Sequence, residues 1–314
     1  SFGSALIRYL LKTTDHTIIC ISRSDGRQEA QRLALEAEGL PAERVDYRPA
    51  DIAVMDSIRP TLQNAKWIIH AAALKRVDWS YRAAREYARV NVLGTANTLA
   101  AAEEAGASRF LFISSDKATA SHNPYGATKR VAEAMVLEQY ERGHMFAASV
   151  RGGNVWASDG SVMLKWLEDG RQKRPFRVTM HPATTRFHMP MDVWVEFVWQ
   201  CAQAMEGGET FAPKLRCLRM MDLLTAFSRY FKNEEEDWTP GMRFGDKKHE
   251  YLISPVEAPF TLDMGWAYEM KPPWYSRHKG QLVDPSGVAS DMGPWLDEEE
   301  IADLVKQLDA ETGG

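Results

Sequence analysis

The 314-residue sequence has few cysteines, and they form no recognisable pattern. Cys20, Cys201 and Cys217 are far apart and odd in number. They fit neither a disulfide framework nor a metal cluster, and such usage is typical of a reducing compartment. We therefore interpret the three cysteines as packing residues, and we predict a cytoplasmic protein without a bound metal.

Long apolar runs and a strong excess of charge are also missing. The formal net charge is −5 and the isoelectric point is near 6.0, which favours neither nucleic acid nor an anionic membrane as a partner. No stretch approaches the ~18 consecutive apolar residues that a membrane-spanning helix needs. Hydrophobic residues make up 45% of the chain, as in ordinary globular proteins. We predict no nucleic-acid partner and no membrane partner.

Strand-like and helix-like segments alternate up to about residue 150. "HTIICIS" (16–22) precedes "GRQEAQRLALEAEG" (26–39), and "RFLFISS" (109–115) precedes "GATKRVAEAMVLEQYERG" (126–143). Such alternation predicts an α/β fold, a Rossmann-like doubly wound parallel sheet with helices on both faces. We also predict a short strand that ends at Asp51 and one long helix over residues 81–106.

The same pattern suggests how the chain is divided into domains. We predict a dinucleotide-binding domain over residues 1–150, to which residues 187–206 return. Residues 151–314 are expected to form a smaller C-terminal substrate-binding domain. The chain opens on a helical pattern that leads into a strand, so we expect that the first strand of the sheet is missing from this sequence.

Ligands of open parallel sheets bind at the carboxyl ends of the strands. A helix from Ser4 would offer its N-terminal amides to a pyrophosphate. Past the next strand, an arginine between two serines suits the 2′-phosphate of NADP better than the ribose hydroxyls of NAD, although a solvated loop arginine is the alternative. The predicted cofactor contacts are Gly3, Ser22, Arg23, Ser24, Asp51, Ala71, Ala72, Ala73, Tyr125 and Lys129.

Tyr125 and Lys129 form a Y-x-x-x-K motif on a predicted helix. Residues four apart lie on one helix face, and an ammonium beside a phenol favours the phenolate. We predict that Lys129 lowers the pKa of Tyr125, so that Tyr125 can take the proton of a carbinol hydroxyl while a hydride passes to a nicotinamide.

The strand before this helix ends in Ser114, Ser115, Asp116 and Lys117. A simple dehydrogenase needs only a serine or threonine there. The adjacent Asp116 and Lys117 add one potential acid and one potential base, which suggests elimination of water from an oxidised intermediate. A surface ion pair at a strand end is the plainer alternative.

Several stretches, taken in order, resemble one family. They are "HAAALKRVDWS", "NVLGTANTLAAAEEAGASRFLFISSDKA", "NPYGATKRVAEAM", "VRGGNVWASDGSV", "TRFHMPMDV" and "GMRFGDKKHEYLIS". They resemble the UDP-N-acetylglucosamine 4,6-dehydratases of bacterial surface-polysaccharide synthesis, within the extended short-chain dehydrogenase/reductase superfamily. Tyr125 stands where long membrane-bound members usually carry Met, so the resemblance is to the short, soluble, C5-inverting type.

The resemblance implies conversion of UDP-GlcNAc to a UDP-4-keto-6-deoxy-HexNAc with bound NADP. Tyr125, aided by Lys129, would act at the C4 hydroxyl, and Ser115 would hydrogen-bond the C4 oxygen. Lys117 would be the base at C5, and Asp116 the acid for the C6 hydroxyl. The implied contacts to the UDP-sugar are Asn154, Arg186 and Arg243. Lys75 and Glu250 are further candidates, for which a plain surface charge is the alternative.

Some positions depart from the family pattern. Phe244 and Asp246 replace a proline and a glutamate, and His188 stands where an aromatic residue is usual. A UDP-sugar 4-epimerase or reductase of the same superfamily and a truncated, non-catalytic member therefore stay open as alternatives. The resemblance further implies a homo-oligomer, a dimer or a hexamer.

Overall fold

The computed structural model describes residues 1–158, 160–238, 244–275 and 280–312. Its α-helices are α1 (Phe2–Thr13), α2 (Asp25–Ala37), α3 (Met55–Ile58), α4 (Val77–Ser80), α5 (Ala84–Tyr87), α6 (Gly94–Glu104), α7 (Pro124–Glu141), α8 (Val162–Arg171), α9 (Met191–Ala204), α10 (Met220–Phe231) and α11 (Glu298–Thr312). Within the described residues, no helix is both long and apolar enough to span a membrane.

The strands of the first half are β1 (Ile18–Ser22), β2 (Val45–Pro49), β3 (Trp67–His70), β4 (Arg109–Ile113) and β5 (Phe146–Val150). Those of the second half are β6 (Asn154–Val155), β7 (Phe176–Val178), β8 (Thr185–Met189), β9 (Thr210–Pro213), β10 (Arg216–Arg219), β11 (Glu236–Trp238), β12 (Tyr251–Ile253), β13 (Thr261–Asp263), β14 (Ala267–Met270), β15 (Gln281–Leu282) and β16 (Val288–Ala289).

The largest sheet has seven strands in the order β15-β13-β14-β9-β5-β4-β3. The four strands β3, β4, β5 and β9 run parallel, whereas β14, β13 and β15 extend the sheet antiparallel. The predicted parallel α/β sheet is confirmed, and the antiparallel extension comes from the C-terminal half.

The two faces of β4 carry alternate side chains, as the pleat of a strand requires. Phe110 and Phe112 pack on one face with residues of α6 and α7. Leu111 packs on the other face in a core that includes residues of α1 and α9. Helices therefore cover both faces of the parallel strands, and this arrangement fixes the carboxyl end of β4 between two packed layers.

The strands β1 and β2 form a separate parallel pair. Within the described part of the chain, no ladder joins β1 to β3, so the doubly wound sheet is interrupted between them. The expectation of a missing first strand stays a prediction.

The C-terminal half contributes to more than one core. The helices α8, α10 and α11 enclose a third apolar core around Trp166 and Phe227. By contrast, α9 packs on α1, and β9 and β13–β15 join the seven-stranded sheet. The large sheet thus takes strands from both sides of residue 150, and the predicted domain boundaries stay a prediction.

Two local predictions were wrong. The strand β2 ends at Pro49, two residues before Asp51, because Asp51 accepts the Ala53 N–H in a turn. The long helix over 81–106 is interrupted by a π-helical segment, Ala88–Leu93. Asn91 in this segment binds both the N–H and the carbonyl of Leu74, which anchors the loop after β3 to the helix.

Candidate active site

The site begins where β4 ends and α7 starts. Asn123 caps α7, with its Oδ1 accepting the Gly126 N–H at 2.8 Å. A Cβ on Gly126 would lie 2.0 Å from the Lys117 carbonyl oxygen, so only glycine lets the helix start approach the loop so closely. This approach brings Tyr125, in the first turn of α7, next to the loop of residues 115–117.

Asp116 is completely buried in that loop. Its Oδ1 accepts hydrogen bonds from Ser115 Oγ at 2.8 Å and Lys117 Nζ at 3.0 Å, whereas Oδ2 has no hydrogen-bond partner in the part of the chain that the structure describes. Burial raises the pKa of Asp116, and the Lys117 ammonium offsets only part of this shift. A carboxyl group in this environment is suited to hold and deliver a proton.

Lys117 faces a second carboxylate. Its Nζ lies 3.4 Å from Glu250 Oε1, and the Glu250 Oε2 lies 3.5 Å from Lys247 Nζ. Burial would lower the pKa of Lys117, but the charges of Asp116 and Glu250 raise it instead. Burial would raise the pKa of Glu250, but Lys117, Arg186 and Lys247 lower it.

Tyr125 is buried, and its surroundings correct one prediction. Burial raises the pKa of Tyr125, and Lys117 and a hydrogen-bonding contact with Ser115 offset part of this rise. Lys129 does not contribute, because its Nζ donates instead to the Ile113 carbonyl at 2.7 Å and lies over the Phe112 ring. The predicted lowering of the Tyr125 pKa by Lys129 is therefore wrong for this structure.

Lys129 itself is strongly perturbed. Burial lowers the pKa of its ammonium to about 7, against the opposing charge of Glu133. Ser115, Asp116, Lys117 and Tyr125 are thus linked to one another by direct interactions, while the Lys129 ammonium binds the end of β4 instead.

A buried ion network behind the site was missed in the sequence. Arg151, directly after β5, is fully buried and binds Glu133 and Glu257. Glu133 also accepts a hydrogen bond from Ser114 Oγ at 2.6 Å. The sequence did contain one sign of this network. Glu133 lies four residues after Lys129, which puts its carboxylate on the same helix face as the Lys129 side chain.

The predicted cofactor residues lie at the carboxyl ends of β1, β2 and β3. Ser22 ends β1, Arg23 is exposed, and Ser24 caps α2 by accepting the Arg27 N–H. Asp51 binds Arg89 at 3.1 Å.

The other predicted cofactor residues are glycine and alanine. Gly3 lies in the first turn of α1, with open space around its Cα. Ala71 and Ala72 are exposed directly after β3, and Ala73 is partly buried. The small side chains leave this sheet edge open.

The predicted substrate residues lie on separate elements of the fold, and those that the structure describes are not among the residues that line the cavity described below. Lys75 is exposed after β3, Arg186 lies in β8, and Asn154 lies in β6 with a buried Oδ1 that finds no hydrogen-bond partner among the described residues. Arg186 donates to the carbonyls of Thr185 and Lys248. Arg243 lies outside the described residues.

The cavity measures about 430 Å³ and adjoins the Lys247–Glu250 segment. Three of its lining side chains, Lys247, Lys248 and His249, come from that segment, and Lys247 was missed in the sequence. The lining residues are Tyr81, Ala120, His122, Phe244, Gly245, Asp246, Lys247, Lys248, His249 and Tyr251.

Residues 1–272 match the model of a family described as polysaccharide biosynthesis protein. This chain belongs to that family. Its fold is Rossmann-like, with helices on both faces of a parallel sheet, as the sequence predicted. The match covers the whole of the site described above, from the Asp116–Lys117 loop to Glu250.

Two relatives of this chain differ in their reactions. The inverting UDP-N-acetylglucosamine 4,6-dehydratase of Campylobacter jejuni is 28% identical, over 98% of this chain and 95% of its own. A UDP-glucose 4-epimerase of Rickettsia felis is 29% identical, over 86% of this chain and 80% of its own.

Solved structures with the same fold include Pen from Bacillus thuringiensis, with a TM-score of 0.87 and 24% identity over 98% of this chain and 94% of that one. Another is the dTDP-glucose 4,6-dehydratase DesIV from Streptomyces venezuelae with NAD bound, with a TM-score of 0.72 and 16% identity. DesIV matches 99% of this chain and 95% of its own.

Proposed function

We propose that this protein is a nucleotide-sugar 4,6-dehydratase that converts UDP-GlcNAc to a UDP-4-keto-6-deoxy-HexNAc, with inversion at C5. The observation that carries the proposal is the ion pair between the buried Asp116 and the partly exposed Lys117, next to Tyr125 and Ser115. An oxidation alone would not need this additional acid and base. The dehydratase relative, similar over nearly the whole chain, supports the same reaction.

The residues at the strand ends fit a nicotinamide cofactor. The exposed Ala71 and Ala72 give a flat ring access to the end of β3, and the exposed Arg23 suits a 2′-phosphate. We propose NADP, held by the predicted cofactor residues; NAD in DesIV supports the nicotinamide class. When bound, such a cofactor would supply reversible hydride transfer, from C4 of the sugar and later back to C6.

The side chains of the protein carry out the proton transfers, which begin at the C4 hydroxyl. Tyr125 takes the proton of the C4 hydroxyl in its phenolate form, which the Lys117 ammonium favours by lowering the Tyr125 pKa against the effect of burial. Ser115 holds the C4 oxygen by a hydrogen bond. The C4 ketone then acidifies the hydrogen at C5.

Elimination needs a base and an acid at the same time. In the resting pair, Lys117 is an ammonium and Asp116 a carboxylate, with the proton shared over 3.0 Å. Transfer of that proton yields an amine and a carboxylic acid. The Lys117 amine then removes the C5 proton, while Asp116 protonates the departing C6 hydroxyl, which leaves as water. Both residues return to their resting charges.

The basic cavity suits the diphosphate of the substrate. Lys247 and Lys248 line it, and Arg186 binds the Lys248 carbonyl. We propose that Lys75, Asn154, Arg186 and Arg243 contact the UDP-sugar, and that the protein acts in the cytoplasm as a homo-oligomer.

The test is product analysis from a panel of UDP-sugars with NADP in deuterated water. We expect UDP-GlcNAc to lose one water and to gain deuterium at C5, as read by mass spectrometry and NMR. Turnover without loss of water from any UDP-sugar would refute the proposal.

A second candidate is a UDP-sugar 4-epimerase, which the 29% identical Rickettsia relative favours. An epimerase inverts C4 without elimination, so it would not need Lys117. Lys117→Ala should then leave turnover nearly intact, whereas a dehydratase should lose it.

A further inference from the structure

Glu250 holds an unusual position for a carboxylate. Its side chain is only 3% exposed, and its two oxygens face two different lysines. Oε1 lies 3.4 Å from Lys117 Nζ, and Oε2 lies 3.5 Å from Lys247 Nζ. The carboxylate therefore bridges the loop of residues 115–117, called the catalytic loop below, and the wall of the cavity.

The backbone at Glu250 is fixed independently of these ion pairs. Its N–H donates to Ser290 Oγ at 2.9 Å, and its carbonyl accepts the Ser290 N–H at 2.8 Å. Ser290 Oγ also lies 2.7 Å from Thr185 Oγ1 in β8. Because the anchor is built from backbone and hydroxyl groups, the position of the Glu250 backbone does not depend on the lysines.

The side chain of Lys117, in contrast, is long and flexible, so other groups have to fix the position of its ammonium. A lysine side chain has four carbons and loses about 2 kcal/mol of rotamer entropy when it is fixed. The charged and titratable groups that face it are Asp116 from its own loop, Tyr125 from α7, Arg186 from β8 and Glu250. Only Glu250, among these, supplies a negative charge from outside the loop.

We propose that Glu250 is a positioning residue that holds the Lys117 ammonium beside Asp116 and links it to Lys247. This inference rests on the proposed function, because Lys117 is the proposed base at C5. It differs from the substrate contact that the sequence predicted for Glu250, since both carboxylate oxygens already face lysines.

Lys247 also lines the cavity, so an anion bound there can influence the contact between Glu250 and Lys117. The Nζ of Lys247 also approaches the Thr119 carbonyl, in the segment between the catalytic loop and α7. An anion in the cavity that attracts Lys247 would weaken its pairing with Glu250 and strengthen the hold of Glu250 on Lys117. Binding of the diphosphate would thus tighten the placement of the base.

The test uses Glu250→Gln, which keeps the shape and removes the charge. The amine of Lys117 is labelled with trace acetic anhydride in the absence of substrate, and peptides are quantified by mass spectrometry. Removal of the Glu250 charge makes the neutral amine of Lys117 more abundant, and we expect about tenfold more label on Lys117. The exposed Lys248 should label equally in both proteins.

Two further variants distinguish an effect of Glu250 on the position of Lys117 from a general effect on the stability of the protein. Glu250→Asp keeps the charge and should restore part of the protection of Lys117. Glu209→Gln breaks another buried pair, in which Glu209 Oε1 lies 3.0 Å from Lys271 Nζ. It should lower thermal stability without changing the labelling of Lys117. If Glu250→Gln does not fold, the labelling of Glu250→Asp decides the question.

Activity provides the second readout. We expect Glu250→Gln to lower kcat for water elimination about 10- to 100-fold with little change in KM. Unchanged labelling of Lys117 in a folded Glu250→Gln protein would overturn the positioning role. If the wild type eliminates water from no sugar, the proposed function fails, but the labelling experiment still decides whether Glu250 holds Lys117.

Discussion

The guanidinium of Arg151 lies 2.8 Å from Glu133 Oε2, and Arg151 is completely buried. Its Nη2 is also 2.8 Å from Glu257 Oε1, so one arginine neutralises two carboxylates from distant segments. Glu133 belongs to α7, and it accepts a hydrogen bond from Ser114, the neighbour of Ser115. The network therefore ties the strand end that carries the acid–base pair to the helix that carries Tyr125.

Arg151→Met should strongly destabilise the protein. Removal of the shared cation leaves two buried carboxylates without their main partner, which typically costs about 3–5 kcal/mol. Urea unfolding followed by circular dichroism measures the free energy of unfolding. The matched control is Arg142→Met, which removes an exposed pair with Glu138 and should cost less than about 1 kcal/mol. Equal losses in the two variants would contradict the role of the network.

The same network predicts a pH dependence of stability. Burial would raise the pKa of Glu257, but its hydrogen bonds and charge contact with Arg151 lower it to about 2, from an ordinary value of 4.5. A lowered pKa in the folded state stabilises the protein fully above pH 4.5, and this contribution is lost as the pH falls towards 2. The stability difference between wild type and Glu257→Gln should thus narrow through this window. A difference that is constant with pH in urea titrations would disagree with this account.

A substitution at Gly126 tests the close approach of α7 to the loop of residues 115–117. In Gly126→Ala the new methyl group would meet the Lys117 carbonyl, which is backbone and cannot rotate away. We expect a loss of about 1–3 kcal/mol in stability and a larger loss of activity, because Lys117 is displaced. Gly26→Ala is the control, since nothing lies within 4 Å of the position that its new methyl group would take at the start of α2. It should be neutral or slightly stabilising, and similar losses in both variants would speak against the close approach at Gly126.

Cofactor preference can be tested at Arg23. Arg23→Ala should weaken the binding of NADP about tenfold or more relative to NAD, because the guanidinium is proposed to bind the 2′-phosphate. Fluorescence titration of the reduced cofactors gives both dissociation constants. Arg27→Ala, on the exposed first turn of α2, is the control with a similar change in charge. A parallel change for both cofactors would exclude Arg23 as the selective residue.

Much of the architecture could be predicted from local patterns. The alternation of strands and helices indicated the order of β1 to β5, and the pair of Asp116 and Lys117 at the end of β4 indicated the site. The Tyr125 and Lys129 spacing correctly placed both residues on α7, but spacing alone does not report which group each side chain reaches. Lys129 binds the Ile113 carbonyl because that acceptor lies within its reach on the sheet side.

Other features depend on contacts between distant segments. The antiparallel strands β13–β15 are short, and among the described residues they join the parallel strands through the pairing of β14 with β9. The contact of Glu250 with Lys117 joins residues far apart in the chain and needs the fold to bring the two together. Local periodicity carries no information about such pairs, which explains why Lys247 and Arg151 were missed.

The central claim is that Lys117 and Asp116 eliminate water after Tyr125 has initiated oxidation at C4. The most direct measurement follows reduced-nicotinamide absorbance and loss of water together, when UDP-GlcNAc is added to wild type, Lys117→Ala and Asp116→Asn. The account predicts that both variants, folded as judged by circular dichroism, still reduce bound cofactor but lose elimination by at least about 100-fold. Elimination at the wild-type rate in Lys117→Ala would contradict it.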